Sequence, residues 1–154
     1  MSEPESIREF KDGLTLLRNH YANKALAHFS RAAELDKTNP FYMSYLGLAL
    51  AAAERRWDEA EQICLSALGM KRTQPELYLN LHEVYRLQGK RLDAVDTLIT
   101  GLQFTKRDRR LVQALSKFGM RRPPVLSFLE RTHFLNRHLG RLRHKVLKTL
   151  GRDV

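Results

Sequence analysis

Apolar residues return every three or four positions along the first hundred residues, the period of helices that bury one face. Ile7, Phe10, Leu14 and Leu17 set the first stripe. Two capping boxes stand at its start, Ser2-Glu3-Pro4-Glu5 and Ser6-Ile7-Arg8-Glu9. Either can begin the helix, a serine oxygen and a glutamate satisfying orphan N–H groups of the first turn. A second helix is expected over 23–36 and a third from Pro40, capped by Asn39. Ala51, Ala52 and Ala53 favour carrying the third to about residue 55. Asp58 and Glu59 put acid in the first turn of a fourth helix, where the macrodipole favours it. Gly89 ends a fifth, and a sixth is expected over 92–104. Residues 108–120, with Leu111, Val112 and Leu115 apolar, read as a seventh, stopped by Pro123-Pro124. Residues 121–136 read as an irregular connector with a helical turn at 126–130, and 136–150 as a last helix. There Leu135, Leu139, Leu142, Val146 and Leu150 form a stripe, with Arg137, Arg141, Arg143, Lys145 and Lys148 around and opposite it. So large a stripe is expected to dock on the sixth and seventh helices as a cap.

The helices also repeat in pairs. Small and large residues of the segment 24–33 recur at Ala60, Cys64 and Ala67, and again at Ala94, Leu98 and Gly101. Ala25 to Ala60 is a step of 35 residues and Ala60 to Ala94 one of 34. A period near 34 marks two-helix units that stack into a solenoid because one unit cannot bury its apolar face alone. Leu46-Gly47 answers Leu81-His82, Pro40 answers Pro75, and Gly13 holds the place of Gly47 to within one residue.

With Tyr85, Gly89, Trp57, Phe29 and Ala32, these positions resemble the tetratricopeptide repeat (TPR) family over roughly residues 6–105. The resemblance implies an all-α, TPR-type helical-repeat solenoid with three helix pairs, at about 6–39, 40–74 and 75–108, plus C-terminal helices. Residues 1–105 would form the repeats and 106–154 a basic helical extension and cap. Two positions depart from the family pattern. His82 stands where glycine or alanine is expected, so either the third repeat packs more loosely or the imidazole leans to the edge. Phe128 stands where a fourth repeat would need a small residue.

Charge is distributed unevenly. Residues 105–154 hold 14 Lys and Arg against 3 Asp and Glu, whereas residues 1–104 hold 13 against 14. The basic end either faces nucleic acid, anionic lipid or an acidic protein, or is the solvated outer face of a terminal helix. The interleaved aromatics, Phe118, Phe128 and Phe134, are few for a single-strand stacking platform. Cys64 is the sole cysteine and falls in the large-residue slot of its repeat, so a buried, inert thiol is expected. The acidic N-terminus lacks an apolar signal region and the longest apolar run, 46–53, is too short to span a membrane, so a cytoplasmic location is expected.

No catalytic pattern is present in the sequence. The six histidines lack metalloprotease spacing, and there is no phosphate-binding glycine loop, paired cysteine set or serine elbow. No catalytic residue, metal or cofactor is assigned. In the TPR family ligands lie in the concave groove lined by the first helix of each pair. The matching outward positions are Phe41, Ser44, Tyr45, Leu48, Leu79, Asn80, Glu83 and Arg86, although Phe41 and Leu48 could equally contact neighbouring helices. One subgroup grips a chaperone's C-terminal carboxylate with Lys, Arg and Asn; near those places this chain has Phe10, Leu14, Ser44, Leu48, Leu79 and Glu83, which build no such clamp. The expected role is therefore an adaptor or chaperone-like scaffold holding a peptide or helix of another protein, with oligomeric state left open. The alternative is a nucleic-acid- or anionic-membrane-associated protein acting through Arg137, Arg141, Arg143, Lys145 and Lys148.

Overall fold

In a computed structural model, the described residues, 3–117, all lie in the first of two units, Met1–Gly119. Among them the elements are seven helices: α1 (Glu5–Arg18), α2 (Ala22–Leu35), α3 (Pro40–Glu54), α4 (Trp57–Met70), α5 (Pro75–Gln88), α6 (Arg91–Phe104) and α7 (Arg109–Lys117). The expected connector at 121–136, the helix at 136–150 and its docking as a cap lie outside the described residues.

Helix ends follow local chemistry wherever that chemistry is strong. The Asn39 side chain accepts from the Phe41 N–H at 3.0 Å, and Pro40 takes the first helical position, where a missing N–H costs nothing. Helix α3 runs 15 residues against 14 in α1 and α5, which absorbs the longer repeat step. Gly89 closes α5 in the left-handed region at φ 83°, a conformation with no penalty for glycine. The start of α1 differs from expectation. Pro4 precedes it with no side-chain cap, and Ser6 lies inside the helix, while Ser2 is outside the described residues. The Pro4 carbonyl opens the ladder instead, accepting from Ile7 and Arg8 at 3.1 and 3.2 Å.

Helices α1, α3 and α5 each pack on their own second helix, and α3 and α5 pack also on the next first helix. The packed pairs are α1 on α2, α3 on α4, α5 on α6, then α2 on α3, α4 on α5, α3 on α5, α5 on α7 and α6 on α7. Small residues set the spacing inside a pair. Ala25, Ala60 and Ala94 are fully buried, as are the large residues of the same register, Phe29, Cys64 and Leu98. A Cβ on Gly47 would stand 2.8 Å from the Ala60 carbonyl oxygen, so only glycine admits α4 at this approach.

His82 stands at the same place in the third repeat, and the expectation that its imidazole leans to the edge is corrected. The ring is buried, with Nδ1 3.0 Å from the Ala94 carbonyl oxygen. A carbonyl only accepts, so Nδ1 carries the proton. Where Gly47 yields to the facing carbonyl, His82 satisfies it.

Aromatic rings join the first pair to the second. Phe10 meets Phe29, Tyr42 and Tyr45 at centroid distances of 5.7, 4.8 and 5.3 Å. At the other end Leu111, fully buried, fills space that a side chain on Gly101 would need, which carries α7 onto α6. Burying a leucine this completely contributes about 1.5–3 kcal/mol. Helix α7 therefore continues the stack as a first-type helix.

Candidate functional site

The first helices carry one register in common. Their stripes, at spacings of three and four, are Ile7, Phe10 and Leu14 on α1; Phe41, Ser44 and Leu48 on α3; Glu76, Leu79 and Glu83 on α5; and Arg110, Gln113 and Lys117 on α7. Along the layer the chemistry passes from apolar through acidic to basic.

The predicted site residues divide sharply on this frame. Ser44, Leu48 and Asn80, expected to face outward, are buried. Helix α3 is packed by α2, α4 and α5, and α5 covers the edge of α3 that those residues share. The short Ser44 side chain lets α5 approach, and the Asn80 amide nitrogen donates to the Ser44 hydroxyl at 3.1 Å. That bond is the reason two polar side chains can sit in this core. Leu48 joins the main apolar cluster.

Tyr45 is half-buried, with its ring on Phe10 and Phe29 and its hydroxyl donating to Glu76. Burial, and then the Glu76 carboxylate, hold that hydroxyl protonated well above the ordinary tyrosine range. Phe41 and Leu79 are partly buried against the cluster. Glu83 and Arg86 are accessible and form a bidentate pair, Nε and Nη2 each 2.6 Å from a carboxylate oxygen. The hydrogen-bonded Glu83 raises the Arg86 pKa further, so the cation is permanent.

Sequence reasoning missed Glu76 and Arg110. Arg110 Nη1 donates to Glu76 at 2.7 Å, which completes a chain Tyr45–Glu76–Arg110 across α3, α5 and α7. The Asp108 carboxylate caps the start of α7 by accepting from the Arg110 N–H at 2.8 Å. That backbone hydrogen bond holds its pKa below the usual carboxylate range. The signal was the repeat itself, since Phe41, Glu76 and Arg110 are separated by 35 and 34 residues.

Cys64 is fully buried, and burial pushes its thiol up to about 12. Among the described residues no group of His, Cys, Asp and Glu could hold a metal ion, and no helix is long and apolar enough to cross a membrane. The basic set Arg137, Arg141, Arg143, Lys145 and Lys148 lies outside the described residues.

No family model matches the chain, and no curated protein does. Solved structures do. The Sgt2 TPR domain from Aspergillus fumigatus aligns at TM-score 0.63 and 15% identity, covering 88% of this chain and 95% of that one. The first TPR of Spaghetti (RPAP3) bound to HSP90 peptide SRMEEVD aligns at TM-score 0.60 and 15% identity, over 74% and 92%. The second TPR domain of human RPAP3 in complex with HSP70 peptide SGPTIEEVD aligns at 0.58 and 19%, over 74% and 94%. At these identities the likeness is one of fold.

Proposed function

From the TPR fold of this chain we propose that it is a protein-interaction module, an adaptor or scaffold that holds a helix or extended segment of a partner protein on its first-helix face. The observation that carries this reading is the row of accessible side chains that α3, α5 and α7 share, apolar at one end and basic at the other. Phe41 and Leu79 offer partly open apolar surface, Glu83 and Arg86 flank them, and Arg110 and Lys117 are exposed on α7. A segment matching this face would set apolar side chains over α1 and α3 and acidic ones toward α7.

The solved neighbours in complex with HSP90 and HSP70 peptides support a peptide ligand as a class. The grip differs here, because Leu79 and Glu83 on α5 present no donor to a terminal carboxylate. The working site is Phe41, Leu79, Glu83 and Arg86, joined by Glu76 and Arg110.

Capture from native lysate at low and high salt tests the proposal, with wild type compared to Phe41→Ala and Leu79→Ala. Both variants should lose the partner while melting within a few degrees of wild type. Collapse of both melts would show that these side chains serve the core alone, and unchanged capture would move the site elsewhere.

A further inference from the structure

The second helices do not form a closed layer. Neither α2 and α4 nor α4 and α6 is a packed pair, and a cleft opens at each gap. The two clefts are related by the repeat. Leu46, Leu50 and Glu59 line the first, of about 450 Å³; Leu81, Tyr85 and Asp93 line the second, of about 260 Å³, at the equivalent positions.

Their electrostatics differ. In the first cleft Glu59 and Glu54 are both paired with Arg56. Among the described residues the second is lined by Asp93 and Asp96 with no Lys or Arg in its wall, and neither aspartate forms a salt bridge. Lys90, nearby over the Tyr85 ring, is paired with Glu61 at 3.3 Å. The floor is apolar, formed by Leu68, Leu81 and Tyr85, and Leu65 stands 47% exposed at its edge.

We propose that the cleft between α4 and α6 is a second docking site, which takes a helical segment of a partner protein. The segment sets an aliphatic side chain against Leu65, Leu68 and Leu81 and a Lys or Arg against Asp93 and Asp96. The volume admits one or two side chains and falls below the range of about 300–1,000 Å³ usual for small-molecule pockets. Two carboxylates repel phosphate, so nucleic acid and anionic lipid are not the occupants. This surface lies on the side of α5 that carries Tyr78, Leu81 and Tyr85, away from Leu79, Glu83 and Arg86.

The test uses the full chain and a fluorescein-labelled synthetic helical peptide of about 15 residues with a leucine stripe and lysines elsewhere, its affinity read by fluorescence anisotropy at about 50 mM salt. Asp93→Asn with Asp96→Asn should weaken binding about tenfold, since each exposed pair supplies a modest share. Leu65→Ser should weaken it about threefold. Glu59→Gln, in the first cleft, and Leu79→Ala, on the first-helix face, should bind as wild type. Helical circular dichroism of each variant checks that the chain is folded. No binding by wild type, wild-type affinity in the double aspartate variant, or equal binding of a peptide with every lysine replaced by glutamate would overturn the proposal. Loss of peptide binding in Leu79→Ala would also overturn it, placing the peptide on the first-helix face.

Discussion

Gly47→Ala is the sharpest test of why the repeats pack as they do. Gly47 lies mid-way along α3, facing α4, and an added Cβ would stand 2.7 Å from the Cys64 sulfur and 2.8 Å from the Ala60 carbonyl oxygen. Neither neighbour yields readily. The carbonyl belongs to the backbone of α4, and the sulfur is buried and bonded to the Ser44 carbonyl oxygen at 3.5 Å. Restoring ordinary contact requires α4 to retreat by roughly 0.6 Å in an interior packed to crystal density. Such overpacking costs about 1–3 kcal/mol, while alanine in place of glycine within a helix returns about 0.5–1 kcal/mol. The net expectation is a loss of about 0.5–2 kcal/mol.

Gly69→Ala is the matched control, since nothing lies within 4 Å of its added Cβ and only the propensity gain remains, about 0.5–1 kcal/mol. Urea unfolding followed by circular dichroism would read the two as shifts of midpoint in opposite directions at constant slope. A Gly47→Ala protein as stable as wild type would refute the close-approach argument, because the propensity gain would then be unopposed.

Ser44→Ala should destabilise by about 1–2 kcal/mol by depriving the buried Asn80 amide of its hydroxyl partner, and Ser44→Ala with Asn80→Leu should recover part of that in the same melts. His82→Ala should cost about 1–2 kcal/mol through the lost bond to the Ala94 carbonyl, whereas an unchanged urea midpoint would show that the bond is worth nothing net. The Cys64 thiol is raised from 9.0 to about 12, so the native state holds its proton more tightly than the unfolded chain does. Its contribution is complete below pH 9 and is lost as pH rises toward 12, a decline that Cys64→Ala should make shallower in urea melts across that range. At pH 8 the thiol should react with a disulfide reagent only once urea opens the fold, and prompt reaction of the native protein would contradict its burial.

The sequence by itself determined the elements and their pairing. A 34-residue period in small and large residues is a direct imprint of helix contact, because Ala25, Ala60 and Ala94 must be small wherever two backbones approach. Strong local signals held for the same reason. Asn39 with Pro40, the Asp58-Glu59 turn and Gly89 each act within a few residues and need no distant partner. The tertiary structure decided which side of each first helix stays open. A helix in a solenoid has neighbours on several sides, and sequence period locates the stripes without saying which one the next repeat covers. Ser44 and Asn80 looked like groove residues because the repeat pattern matched them to outward positions, yet a hydrogen bond between them makes them core. His82 looked like a misfit because its partner is a main-chain carbonyl, which carries no mark in the sequence. The Tyr45–Glu76–Arg110 chain and the unequal second-helix clefts likewise exist only once residues from three helices are brought together, since charge compensation depends on distance in space and not on separation along the chain.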